Sequence, residues 1–210
     1  MNHSSPRACA PAVGIRVRGL DQLEQLGRAQ PLTPACDCFY FLRHGQTAFN
    51  ARWIFQSIQE PLNETGRAQA RQAAQRLAHE PLRTIISSDA PRAWETACTV
   101  AAAHRIDPLP RPGLRERDFG ALLGTSTLNL DWACAPEGGE TLPQFMQRTH
   151  TALTDALALP APVLVVAHGG VLHALSAMLG ISIEMRLLGN AQPLRFERSG
   201  AAWKASRLLE

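Results

Sequence analysis

Two histidines in this 210-residue chain each precede a glycine, in Arg43-His44-Gly45 and in His168-Gly169-Gly170. An imidazole can serve as nucleophile or proton carrier near neutral pH, and a following glycine lets backbone approach a ligand closely. Between them in the chain lies Ser87-Ser88-Asp89, with Arg92 just beyond. Brought together, two guanidiniums and two imidazoles make an anion site, most simply for a phosphoryl group, whose oxygens match the guanidinium fork. Singly these residues say little. A lone histidine after a strand is most often structural, and a lone helix arginine is most often solvated or paired with a carboxylate. The chemistry depends on their meeting.

The elements around them favour that meeting. Cys38–Leu42 and Val163–Ala167 are short apolar runs that end at the two histidine clusters, and Leu82–Ile86 ends at Ser87-Ser88-Asp89, as buried parallel strands would. Asn63 is placed to cap a helix running to about His79. Ser87-Ser88-Asp89 can cap a helix over roughly Ala90–His104, with Pro91 in its first turn. Thr141-x-x-Gln144 reads as a capping box, and a further helix follows His168 through Leu179. Leu194–Glu197 and Ala202–Ser206 read as a closing hairpin around Ser199-Gly200. Strands alternating with helical crossovers predict a three-layer α/β/α sandwich with a mostly parallel sheet, its ligands beyond the carboxyl ends of the strands. This domain is expected over residues 36–210. Residues 1–35 are expected to form a poorly ordered extension, in which Leu20, Leu23 and Leu26 leave room for one short amphipathic helix.

In this order along the chain, the sequence resembles the histidine phosphatase superfamily, also called phosphoglycerate mutase-like. Phe41-Leu42-Arg43-His44-Gly45-Gln46-Thr47 with Asn50 resembles the family's RHG motif, and Pro61-Leu62-Asn63-Glu64-Thr65-Gly66 with Gln69-Ala70 its PLTxxGxxQA element. Ser87-Ser88 with Arg92-Ala93 and Thr96-Ala97, Leu114-Arg115-Glu116 with Phe119-Gly120, Glu137-Gly138-Gly139-Glu140-Thr141, and Val166-Ala167-His168-Gly169-Gly170 complete the set. The resemblance implies a phosphomonoester hydrolase acting through a phosphohistidine on a small phosphorylated metabolite, with no metal and no cofactor. It implies His44 as nucleophile, and Arg43, Arg92 and His168 as ligands of the phosphoryl oxygens, His168 donating as an imidazolium. It implies Glu116 as general acid and then base, and Thr47, Asn50, Gln56 and Gly169 as auxiliary substrate contacts. The bland reading of Thr47 and Asn50 is turn and cap chemistry.

The sequence also departs from the pattern. Phe119-Gly120-Ala121-Leu122-Leu123-Gly124 lacks the family's Trp-Glu, and Gln56-Ser57-Ile58-Gln59-Glu60 has serine in place of glycine and is about one residue short. The stretch from Gly120 to Gly138 is short for a helical lid, so a cut-down lid is expected. Two other functions compete: phosphoglycerate mutase-type transfer, and a non-catalytic phosphate-binding regulator. Composition narrows the remainder. The net charge of +3 is too weak and dispersed to argue for nucleic acid, and no apolar run is long enough to span a membrane. The cysteines Cys9, Cys36, Cys38, Cys98 and Cys134 are odd in number and hold no CxxC pair, pointing to a reducing cytoplasm. His168 and His173, five apart, do not share a helical face, which argues against a metal site. His3, His79, His104, His150 and His173 read as surface or packing residues. The physiological ester and the oligomeric state are not legible.

Overall fold

A computed structural model of the chain describes residues 18–184 and 187–208. Six strands form one mixed sheet in the order β3-β2-β4-β1-β5-β6. Its parallel half consists of β1 (Cys38–Arg43), β2 (Thr84–Ser87), β3 (Leu109–Pro110) and β4 (Val163–Ala167). The hairpin of β5 (Pro193–Ser199) and β6 (Ala202–Arg207) adds on antiparallel to β1.

Alternation along the two central strands explains how helices come to cover both faces. Phe39 and Phe41, with Val163, Val165 and Ala167, enter one apolar cluster with Leu23, Phe145, Leu153 and Leu172. Those partners come from α1 (Leu20–Ala29), α5 (Leu142–Leu157) and α6 (Gly169–Met178). Tyr40, Leu42, Leu164 and Val166 enter the other cluster with Ala73, Ala74, Leu77, Ala97 and Val100, from α3 (Glu64–Leu77) and α4 (Pro91–His104). Every residue of β4 is buried, as a central strand between two helical layers must be.

The caps at Asn63 and Thr141 form as their sequences predict, with side chains accepting from Gly66 N–H and Gln144 N–H. The serine cluster behaves differently. Ala90 is the N-cap of α4 and no side chain caps it, so Ser87-Ser88-Asp89 is not a capping element.

In the expected extension, residues 18–35 carry the short helix that Leu20, Leu23 and Leu26 leave room for; residues 1–17 lie outside the described residues. Helix α1 buries Leu23, packs Gly27 against Ala177 of α6, and is followed by Leu32, whose N–H donates to Met178 O. It starts at Gly19 with no side-chain cap, so the leucine spacing is the local signal it offers.

Candidate active site

The parallel strands deliver three segments to one edge of the sheet. Register pairs Arg43 with Ala167 and Ser87 with Val166, so the residues that follow β1, β2 and β4 emerge side by side. His44 and His168 are buried, and their rings lie 5.1 Å apart between centroids.

The loop after β1 is fixed from below. A side chain on Gly45 would meet Gly66 at 2.9–3.0 Å, so the loop lies directly on the first turn of α3. Gln46 N–H donates to the Gln69 side chain, and Gln46 O accepts from Asn63 N–H. This is the work of the Pro61–Ala70 element: it holds the histidine loop. Gly45 N–H donates to Thr96 Oγ1, whose hydroxyl in turn donates to Arg92 O, tying the loop to the first turns of α4.

His44 Nδ1 lies 2.7 Å from Gly45 O. A carbonyl only accepts, so Nδ1 carries the proton and Nε2 keeps its lone pair. Burial, and then the guanidiniums of Arg92 and Arg43, hold the His44 pKa well below the usual histidine range of about 6.5. His168 is lowered in the same direction, by burial first, then by Arg92, by the His44 ring and by Arg43. Burial and the neighbouring cations thus favour a neutral His168 ring in the free protein; the imidazolium expected from the sequence concerns the state with a phosphate dianion bound.

Around these rings stand unpartnered donors. Arg43 donates through Nη1 to Leu188 O (2.6 Å), and Arg92 through Nη1 to the carbonyls of Ser57 (2.9 Å) and Ile58 (3.1 Å). Arg43 Nε, Arg92 Nε and His168 Nδ1 are buried with no hydrogen-bond partner among the described residues. Burial lowers the Arg92 pKa to about 10, which still leaves it charged at neutral pH. Two buried cations, two orphaned guanidinium N–H groups and an unpartnered imidazole nitrogen, from three chain segments, make a cup that calls for an oxyanion.

Glu116 faces this cup from the loop after Leu114, its charge acting on both Arg43 and Arg92. Its carboxylate accepts from Gly170 N–H (2.9 Å) at the start of α6 and from Arg117 N–H (2.9 Å). Arg148 of α5 holds the loop itself. It donates to the carbonyls of Gly113, Arg115 and Glu116 and forms an ion pair with Glu140.

The auxiliary residues are placed less directly. Thr47 is buried, and its hydroxyl lies 2.8 Å from both Asn50 Oδ1 and Gln56 Oε1, inside the capping box of α2 (Ala48–Ala51). Asn50 accepts from Thr47 N–H, and its amide donates to Asn190, which in turn donates to His44 O. Gly169 lies against the Arg43 guanidinium, 3.6 Å from the position a side chain would take. Asn190, Arg148 and the Ser88 hydroxyl carry no signal that separates them from ordinary polar residues in the sequence. Thr96, one helical turn after Arg92, could have been found from that spacing.

A surface cavity of about 390 Å³ lies at the other end of α6, lined by Arg28, Leu32, Met178, Arg198 and Trp203. Both arginines there are paired, with Glu24 and Asp37, so it offers no free cation comparable to the cup.

Comparison with known proteins agrees with this geometry. The family model of the histidine phosphatase superfamily (branch 1) matches residues 39–208. The chain is 36% identical over 188 residues to a protein named probable phosphoglycerate mutase GpmB from Proteus mirabilis, covering 80% of this chain and 87% of that one. Among solved structures it is similar to mycobacterial glucosyl-3-phosphoglycerate phosphatase in complex with VO3, with TM-score 0.69, 27% identity, and coverage of 81% and 98%. It is likewise similar to TTHB049 of Thermus thermophilus, with TM-score 0.66, 29% identity, and coverage of 82% and 99%. The chain belongs to the histidine phosphatase superfamily.

Proposed function

We propose that the chain hydrolyses the phosphate monoester of a small metabolite through a phosphohistidine on His44. One observation carries the reading: the unpartnered Nε of Arg43, Nε of Arg92 and Nδ1 of His168, from separate segments, stand about an imidazole whose Nε2 lone pair is free. In the first step Nε2 attacks phosphorus and the P–O bond to the alcohol breaks. Arg43, Arg92 and His168 hold the equatorial oxygens, where charge gathers. Glu116 gives its proton to the departing oxygen. In the second step Glu116 takes a proton from water, water attacks the phosphoryl group, and inorganic phosphate leaves His44 free. Asn50, Gln56 and Gly169 complete the proposed substrate contacts, and Thr47 acts by holding Asn50 and Gln56 in place. The neighbour's name, a glucosyl-3-phosphoglycerate phosphatase, supports hydrolysis of a phosphorylated metabolite. Four free cysteines among the described residues support a reducing cytoplasm as its compartment.

The stretch from Gly120 to Gly138, which we read as a cut-down lid, holds a 3₁₀ turn at Gly120–Leu122 and isolated β-bridges at Ser126 and Asp131, and no α-helix. So short a cover favours attack by water over return of the phosphoryl group to a second hydroxyl. The mutase reading is favoured instead by the name of the Proteus relative. Incubation with 3-phosphoglycerate separates the two: hydrolysis releases phosphate, whereas mutase action interconverts isomers without release. For the mechanism itself, His44→Ala must abolish both turnover and the acid-labile phosphoprotein trapped during turnover. Trapped phosphate that persists in this variant overturns the assignment.

A further inference from the structure

We infer that Ser88 is a positioning residue that fixes the proton of His168 on Nδ1, so that a neutral imidazole becomes an obligate hydrogen-bond donor to the phosphoryl group. The inference rests on the phosphatase reading of this same cup.

Ser88 is fully buried, and its Oγ lies 2.9 Å from His168 Nε2. The hydroxyl has one hydrogen to give. On its other side Oγ already accepts from Ala90 N–H at 3.3 Å. Among the described residues His168 Nε2 is the acceptor within its reach. If the Ser88 O–H donates to Nε2, each link from Ala90 N–H through Ser88 Oγ to His168 Nε2 is satisfied, and the proton of the neutral ring must sit on Nδ1, where it is left for the phosphoryl group. The opposite arrangement fails twice. With the proton on Nε2, Ser88 Oγ would receive two donors while its own hydrogen had no acceptor. Nδ1, which is buried and unpartnered, would then present a bare lone pair to an anion. Each fault leaves a buried polar group unpaired or facing like charge.

This explains why two serines in sequence behave differently. Ser87 Oγ turns to the carbonyl of Ser88 at 2.8 Å and stays out of the cup. Ser88 is drawn away from helix capping to serve a histidine that lies 80 positions on. It also resolves how His168 can donate without a charge. Burial beside two arginines opposes an imidazolium, but the correct neutral tautomer still offers one N–H.

The test is nitrogen-15 NMR of the His168 ring in the full chain, combined with orthovanadate binding as a probe that needs no turnover. The expected result is Nδ1 protonated and Nε2 unprotonated in the wild-type protein. Ser88→Ala should give a mixed or inverted tautomer and weaken vanadate binding about 10- to 100-fold, the range for residues that orient a ligand-binding histidine. Ser87→Ala also removes a buried hydroxyl but should keep both the tautomer and the vanadate affinity. Thermal unfolding establishes that each variant is folded. The proposal is overturned if wild-type His168 carries its proton on Nε2, or if Ser88→Ala binds vanadate like wild type. It is equally overturned if Ser87→Ala weakens vanadate as much as Ser88→Ala, since that marks a merely structural effect. Failure of the wild-type chain to bind vanadate, with the Nδ1–H tautomer intact, defeats the phosphatase reading instead and leaves the hold of Ser88 on the proton in place.

Discussion

Gly170→Ala should separate proton donation from phosphoryl transfer. A methyl group at this position would lie 2.9 Å from Trp132 Cη2 and 3.0 Å from Glu116 Cδ, and closer still to Glu116 Oε1. Real Cβ contacts do not reach such distances, so something must give. Trp132 is buried against Phe119 and Phe145 and cannot yield. The Glu116 side chain is the movable partner, and swinging it away breaks its bond from Gly170 N–H. The overpacking itself should cost about 1–3 kcal/mol of stability, which a domain of this size tolerates.

The catalytic loss should depend on the leaving group. A general acid is worth about 10²- to 10⁴-fold, and an alkyl phosphate needs all of it because an alkoxide leaves poorly. We expect roughly a 100-fold fall in kcat/KM on an alkyl phosphate, at the low end of that range because a displaced carboxyl still reaches solvent-borne protons. On p-nitrophenyl phosphate, whose phenolate leaves without a proton, the fall should be about threefold or less. Steady-state assays on both esters, run beside vanadate binding, give the answer. Equal losses on the two esters would mean that the methyl group damages the cup rather than the acid. No loss on either would remove Glu116 from the mechanism.

Acidification should leave the nucleophile active. His44 is held neutral well below 6.5 by burial and two guanidiniums, so its lone pair survives a fall through that pH. Once the substrate's own ionisation near pH ~6 is allowed for, kcat/KM should show no loss centred at the ordinary histidine value; such a loss in the pH profile would refute the neutral cup. Stability should behave oppositely. His44, His168 and His173 all have folded pKa values below their unfolded value, His173 at about 4. The unfolded chain therefore binds more protons below about pH 6.5, and stability should fall from there downward, read as a decreasing Tm. Arg148→Ala removes donors to three carbonyls of the Glu116 loop and the pair with Glu140. It should cost about 2 kcal/mol in denaturant unfolding and slow alkyl esters more than aryl esters. Trp53, 49% exposed on the strip beside Gln56, should on replacement by Ala change KM for bulky esters and leave vanadate affinity within about twofold.

What the sequence revealed was largely what is decided locally. Apolar runs gave the central strands, and the caps at Asn63 and Thr141 rest on contacts three residues apart. Helix α1 was legible as a leucine spacing, but its docking was not, because Gly19 supplies no cap and its burial against Ala177 depends on a partner distant in the chain. Ser88 was misread for the same reason: its neighbours suggest a cap, and only His168 reveals its use. Thr47 and Asn50 show the reverse, since the cap chemistry their spacing suggests is the chemistry they display.

The departures from the family pattern fall where the structure works through main chain. Arg92 is held by the carbonyls of Ser57 and Ile58, which any residue supplies, so serine in place of glycine leaves that hold intact. Likewise Ala121 N–H donates to Glu137 O and Gly124 N–H to Phe55 O, while Phe55 packs on Phe119 at 4.4 Å between centroids. Backbone bonds of this kind secure the Phe119–Gly124 segment without regard to the identity of its side chains. In the proposed mechanism Arg43, His44, Arg92, Glu116 and His168 act through their own atoms, so the residues that depart from the family pattern are not the ones asked to handle the phosphoryl group. A chain that keeps that set and differs elsewhere fits the proposal of the same phosphoryl chemistry on an ester of its own.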